Sequence, residues 1–112
     1  LRGRARSSEE SILQRKEDWD KCWLCMELYG DYSTKRILDK HHIYGGAFRG
    51  ISEAEGFTVR LCKKHHASGG PEDVHRNYTL SRALKVECQR EYESRHSREE
   101  FMRLIHRNYL EE

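Results

Sequence analysis

Leu61-Cys62-Lys63-Lys64-His65-His66 decides the fold, because its Cys62-x-x-His65 spacing repeats that of Cys22-Trp23-Leu24-Cys25, and Cys62 follows Cys25 by 37 positions. Two such pairs bring three thiols and one imidazole to a single point, a donor set that suits a closed tetrahedral Zn²⁺. The expected structural zinc ligands are therefore Cys22, Cys25, Cys62 and His65. A redox dithiol at Cys22 and Cys25 is the rival reading, but no thioredoxin-like order of strand and helix surrounds them. Structural disulfides are disfavoured if the setting is intracellular.

The need for such a staple follows from composition. In 112 residues, 36% are hydrophobic and another 36% charged, so one domain with a thin core is expected. A bound metal can add folding energy that a small core lacks. The formal net charge of +2 is compatible with a polyanionic partner without demanding one. Neither a run of apolar residues long enough to span a bilayer nor a secretory leader is evident, so no membrane partner and a cytoplasmic location are expected.

Outward from the two knuckles, residues 1–7 read as a flexible basic arm carrying Arg2, Arg4 and Arg6, and residues 8–112 as one domain. A short helix is expected over residues 8–18, capped by Ser8. One strand is expected over 34–43 and a second over 57–61, with a polar loop or short helical turn at 47–55 and Arg49 at its tip. A helix should start at Cys62 and stop at Ser68-Gly69-Gly70-Pro71. The tail over 78–112 reads as two packed helices. Leu80, Leu84, Cys88 and Tyr92 stripe the first; Phe101, Leu104, Ile105 and Tyr109 stripe the second, which Ser97 and Glu100 open as a capping box. Cys88 falls on the apolar stripe and reads as a packing thiol. The fold class is α+β.

His41 and His42 end the first expected strand, where neighbouring side chains point to opposite faces, so one can bind metal while the other stays free. His65 can close the zinc site and leave His66 facing the strand of His41. The result is a second metal seat at His41 and His66 beside an unligated His42. Imidazole can take a proton from water near neutral pH, as a general base for phosphodiester hydrolysis must. His75 reads as a third metal ligand, a phosphate contact or an ordinary loop histidine. Arg36, Lys40, Arg49, Arg60, Lys63 and Lys64 cluster in sequence around this seat, and Arg49 is the expected phosphate clamp.

The Cys-x-x-Cys, His41-His42-Ile43 and Leu61-Cys62-x-x-His65-His66 motifs resemble those of HNH, or ββα-metal, endonucleases over residues 22–77. More narrowly, His41-His42-Ile43-Tyr44-Gly45-Gly46, Val74-His75-Arg76-Asn77 and the tail through Phe101-Met102 resemble small phage and prophage HNH proteins. The resemblance implies a zinc-stapled ββα core that hydrolyses DNA with one catalytic divalent ion, Mg²⁺, Mn²⁺, Ni²⁺ or Zn²⁺. It implies His41 and His66 as ligands and His42 as base, in a bacterial or phage-infected cell. A homodimer or further phage or host DNA-processing proteins would be the partners besides DNA. Two positions depart from the pattern. Histidine stands at 41 where many members carry aspartate, which favours transition ions over Mg²⁺. The family's middle asparagine is missing from Glu55-Gly56-Phe57-Thr58. A zinc-bound DNA- or protein-binding module without catalysis is the alternative.

Overall fold

The computed structural model describes residues 10–111. The basic arm expected over 1–7, and Ser8 as a cap, lie outside the described residues. The described chain is α+β, with a two-stranded antiparallel sheet and four α-helices. Strand β1 (Asp39–His42) pairs with β2 (Thr58–Leu61), placing His41 opposite Val59 and His42 opposite Thr58. Both strands are shorter than expected. Residues 34–38 do not join the sheet, leaving Ile37 exposed.

Over 10–18, the described part of the helix expected over 8–18, the chain is an irregular segment with a single 3₁₀ turn, Lys16–Asp18. Two side chains explain the change by competing for backbone groups that a helix would use. The Ser11 hydroxyl accepts from the N–H groups of Leu13 and Gln14 and donates to the Thr58 carbonyl. Buried Gln14 donates to the carbonyls of Asp18 and Lys21, while its oxygen accepts the Arg60 N–H at 2.7 Å. The segment is thereby tied along β2.

One helix falls where none was expected, and the 47–55 segment takes the helical of its two expected forms. Helix α1 (Trp23–Tyr29) starts from the first knuckle: the Cys22 sulfur caps it by accepting the Cys25 N–H, and Gly30 ends it at φ +62°. Helix α2 (Arg49–Glu55) follows a 3₁₀ turn and connects the two strands, so Arg49 is its first residue and not a loop tip. Buried Ser52 anchors α2 to the end of the sheet, donating to the Tyr44 carbonyl and accepting its N–H.

The helix expected from Cys62 does not form. Residues 62–77 are turns, in which the His65 N–H reaches the Cys62 carbonyl before Ala67 enters the left-handed region at φ +66°. Asp73 is buried below this loop and accepts the N–H groups of Gly69 and His75. A strand–strand–helix unit with the helix at Cys62, as the motif resemblance implies, is therefore not what these residues build.

The tail follows expectation. Helix α3 (Tyr78–Glu93) is capped by Asn77, and α4 (Arg98–Ile105) opens with the complete Ser97–Glu100 capping box. Leu84, Cys88, Tyr92, Phe101, Ile105 and Tyr109 all enter the core. Tyr44 and Phe57 meet them from the sheet side, with ring centroids 5.7 Å apart for Tyr44–Phe101 and 5.6 Å for Phe57–Tyr92. The Tyr44 hydroxyl donates to the Lys85 carbonyl, so this buried phenol is satisfied. No helix among the described residues is long and apolar enough to cross a membrane.

Candidate metal centres

His65 and His66 are adjacent in sequence and serve different clusters. The first joins Cys22, Cys25, Cys62 and His65. His65 Nδ1 lies 3.5 Å from the sulfurs of Cys22 and Cys62 and 3.7 Å from that of Cys25. The Cys25 and Cys62 sulfurs are 3.8 Å apart, far beyond the roughly 2 Å of a disulfide. A tetrahedron with metal–sulfur bonds of about 2.3 Å and a metal–nitrogen bond of about 2.0 Å has edges of roughly 3.8 Å and 3.5 Å. The cluster can hold a metal ion, and its donors and spacings are consistent with zinc.

Its surroundings fit the same purpose. A carboxylate can only accept, so the Glu72 oxygen 3.0 Å from His65 Nε2 requires the proton there and leaves the Nδ1 lone pair facing the sulfurs. Glu72 is itself held by the Tyr29 hydroxyl. Without an ion, burial and the neighbouring thiols push Cys25 up to about 12, and burial raises Cys22. At Cys62 burial acts upward too, but backbone N–H donors, led by that of His65, bring it below its usual value. Three thiols this close cannot all ionise unless a cation joins them.

The second cluster is His41, His66 and His75, whose ligand atoms lie within 4.8 Å of one another. His41 and His42 point to different places, as expected of neighbours on a strand. His41 is buried, and that burial, reinforced by the nearby imidazoles, lowers its pKa to about 3, so it remains a neutral donor. Asp39 accepts from His66 Nδ1 at 2.9 Å, which frees His66 Nε2 to face His75 Nε2 at 3.1 Å. Two ring nitrogens this close require a proton or a cation between them. Two nitrogens on one ion at about 2.05 Å would be roughly 2.9–3.3 Å apart.

His42 stands beside this seat and outside it. Its Nε2 lies 2.7 Å from Glu53 Oε1, and Arg49 Nε donates to its Nδ1 at 3.4 Å. His41, His42, Arg49, His66 and His75 line one open cleft of about 330 Å³. Most of the other expected phosphate contacts are otherwise engaged. Lys63 pairs with Asp39, Lys64 with Glu72 and Lys40 with Glu53, while Arg60 covers the Trp19 ring. Arg36 is exposed and does not line the cleft.

The carboxylates Asp39, Glu53 and Glu72 are not among the residues expected from the sequence. Asp39 had a usable signal, lying two positions before His41 on the same face of a strand. Glu53 and Glu72 reach their histidines through tertiary contacts that no spacing announces. Compared with known family models, curated proteins and solved structures, the chain matches none.

Proposed function

We propose that this protein is a metal-dependent endonuclease that hydrolyses DNA phosphodiester bonds, with His42 as general base and His41, His66 and His75 as the seat of one divalent ion. The observation that carries the reading is the placing of a non-ligand histidine and an arginine in the same open cleft as the three-histidine cluster. The Cys3His cluster is read as a structural zinc site. It fixes His65 on one side of the 62–66 turn, and His66 is delivered to the cleft on the other.

When bound at the histidine seat, a divalent cation stabilises negative charge on the phosphate and on the departing oxygen. The all-imidazole donor set favours Mn²⁺, Ni²⁺ or Zn²⁺ over Mg²⁺. Arg49 supplies a guanidinium to hold a phosphate oxygen, and His42 takes one proton from the attacking water. The water oxygen bonds to phosphorus as the ester P–O bond breaks. Ser52 ties both backbone groups of Tyr44 to α2 and so braces the loop that the missing asparagine braces in the family the motifs resemble. Among the described residues, no helix with a set of polar base readers borders the cleft, so weak sequence preference is part of the proposal.

One observation favours the rival, a zinc-bound nucleic-acid or protein-binding module: both ring nitrogens of His42 already have partners. Nicking of supercoiled plasmid separates the two. The nuclease nicks with Mn²⁺ or Ni²⁺, is silent in EDTA and loses activity in His42→Ala while keeping zinc and fold. A wild-type protein that binds DNA but does not cut it, whichever divalent ion is added, is the module instead.

A further inference from the structure

Resting on that nuclease reading, we propose that Glu53 is the positioning residue of His42, selecting the Nε2–H tautomer so that Nδ1 is the base nitrogen. Arg49 and Glu53 lie one helical turn apart on α2 and bracket the imidazole from the two ends. The chemistry of the partners leaves one assignment. The Glu53 carboxylate accepts only, and the Arg49 guanidinium donates only, so the proton is on Nε2 and the lone pair on Nδ1.

His42 is largely shielded, with 12% of its side chain exposed, whereas Glu53 is 35% exposed and also paired with Lys40 at 2.9 Å. The Lys40 contact fixes the second carboxylate oxygen, so Glu53 approaches His42 with a defined edge. Once Nδ1 has taken a proton, the ring is a cation, and the same carboxylate stabilises it without moving. Arg49 covers Nδ1 in the free protein. A phosphate entering the cleft offers that guanidinium a stronger, charged acceptor and so uncovers the base as the substrate arrives.

The test reads the tautomer directly. In zinc-loaded protein labelled with ¹⁵N-histidine, above the pH at which imidazole is protonated, His42 should show a protonated Nε2 and a bare Nδ1. In Glu53→Ala the two tautomers should mix, and in Glu53→Gln, whose amide oxygen still accepts, the Nε2–H form should persist. Nicking should follow, with kcat lowered ~10- to 100-fold in Glu53→Ala, KM little changed, and partial recovery in Glu53→Gln. An Nδ1–H tautomer in the wild type overturns the assignment whether or not either variant folds. An unaltered tautomer in folded, zinc-loaded Glu53→Ala overturns the role of Glu53. Absence of nicking in all three proteins removes the nuclease reading alone, since the spectrum still decides which group orients His42.

Discussion

Glu72 and Asp39 act on histidines as Glu53 does, each accepting one ring N–H so that the other nitrogen is presented to a cluster. Removing such a partner leaves the ligand in place but lets it turn. Glu72→Gln should weaken zinc binding ~10- to 100-fold in competition with a chelator. Metal uptake at the histidine seat should be unaffected in that variant. Asp73 has a different function, because it organises backbone. Its buried carboxylate accepts two loop N–H groups, and although burial acts upward, these donors lower its pKa to about 2. Asp73→Ala should leave both N–H groups without an acceptor and move His75, seen as loss of the third histidine from the seat in the NMR spectrum of the metal-loaded protein.

Short elements here depend on caps and side-chain anchors more than on their own propensity. Ser97→Ala removes the capping box that opens α4 and should cost about 1 kcal/mol, or roughly 4–8 °C in Tm by thermal unfolding. Both tail helices could be read from sequence because their stripes are long and their caps local. The residues of the Cys3His cluster could be grouped as well, because Cys-x-x-Cys and Cys-x-x-His are spacing signals, whereas no spacing settled that His75 lies beside His41 and His66. Helix α1 was hidden, since Cys22 serves both as knuckle residue and as helix cap. Within the helix expected over 8–18, Ser11 and Gln14 misled for the opposite reason: both look helix-compatible, yet their side chains bind backbone groups 47 and 46 positions away. The turn at 62–67 does not become a helix: its backbone bonds, His65 N–H to the Cys62 carbonyl and His66 N–H to the Lys63 carbonyl, span three residues and not the four of an α-helix, and Ala67 then enters the left-handed region.

At the scale of the whole described chain, the Cys3His cluster links the first knuckle and α1 to the end of β2. Its loss should therefore be global. Chelation, or Cys25→Ser, should unfold the domain, seen as loss of helical circular dichroism, and readdition of zinc should restore it. The sign of the pH dependence follows from the thiols. Cys25, raised to about 12 without metal, is protonated at neutral pH and must release its proton on binding. Metal uptake should accordingly release protons in calorimetry and weaken as pH falls. His66→Ala, by contrast, should leave the fold standing.

The two clusters differ in chemistry, one closed by sulfur and one open and all-nitrogen. Stepwise addition of Co²⁺ to metal-free protein tests this most directly. The first equivalent should bring thiolate-to-cobalt charge-transfer absorption and recovered helix, and a second should bind without thiolate bands and disappear in His66→Ala. A single bound ion in wild type, or a second equivalent that survives His66→Ala, would contradict it.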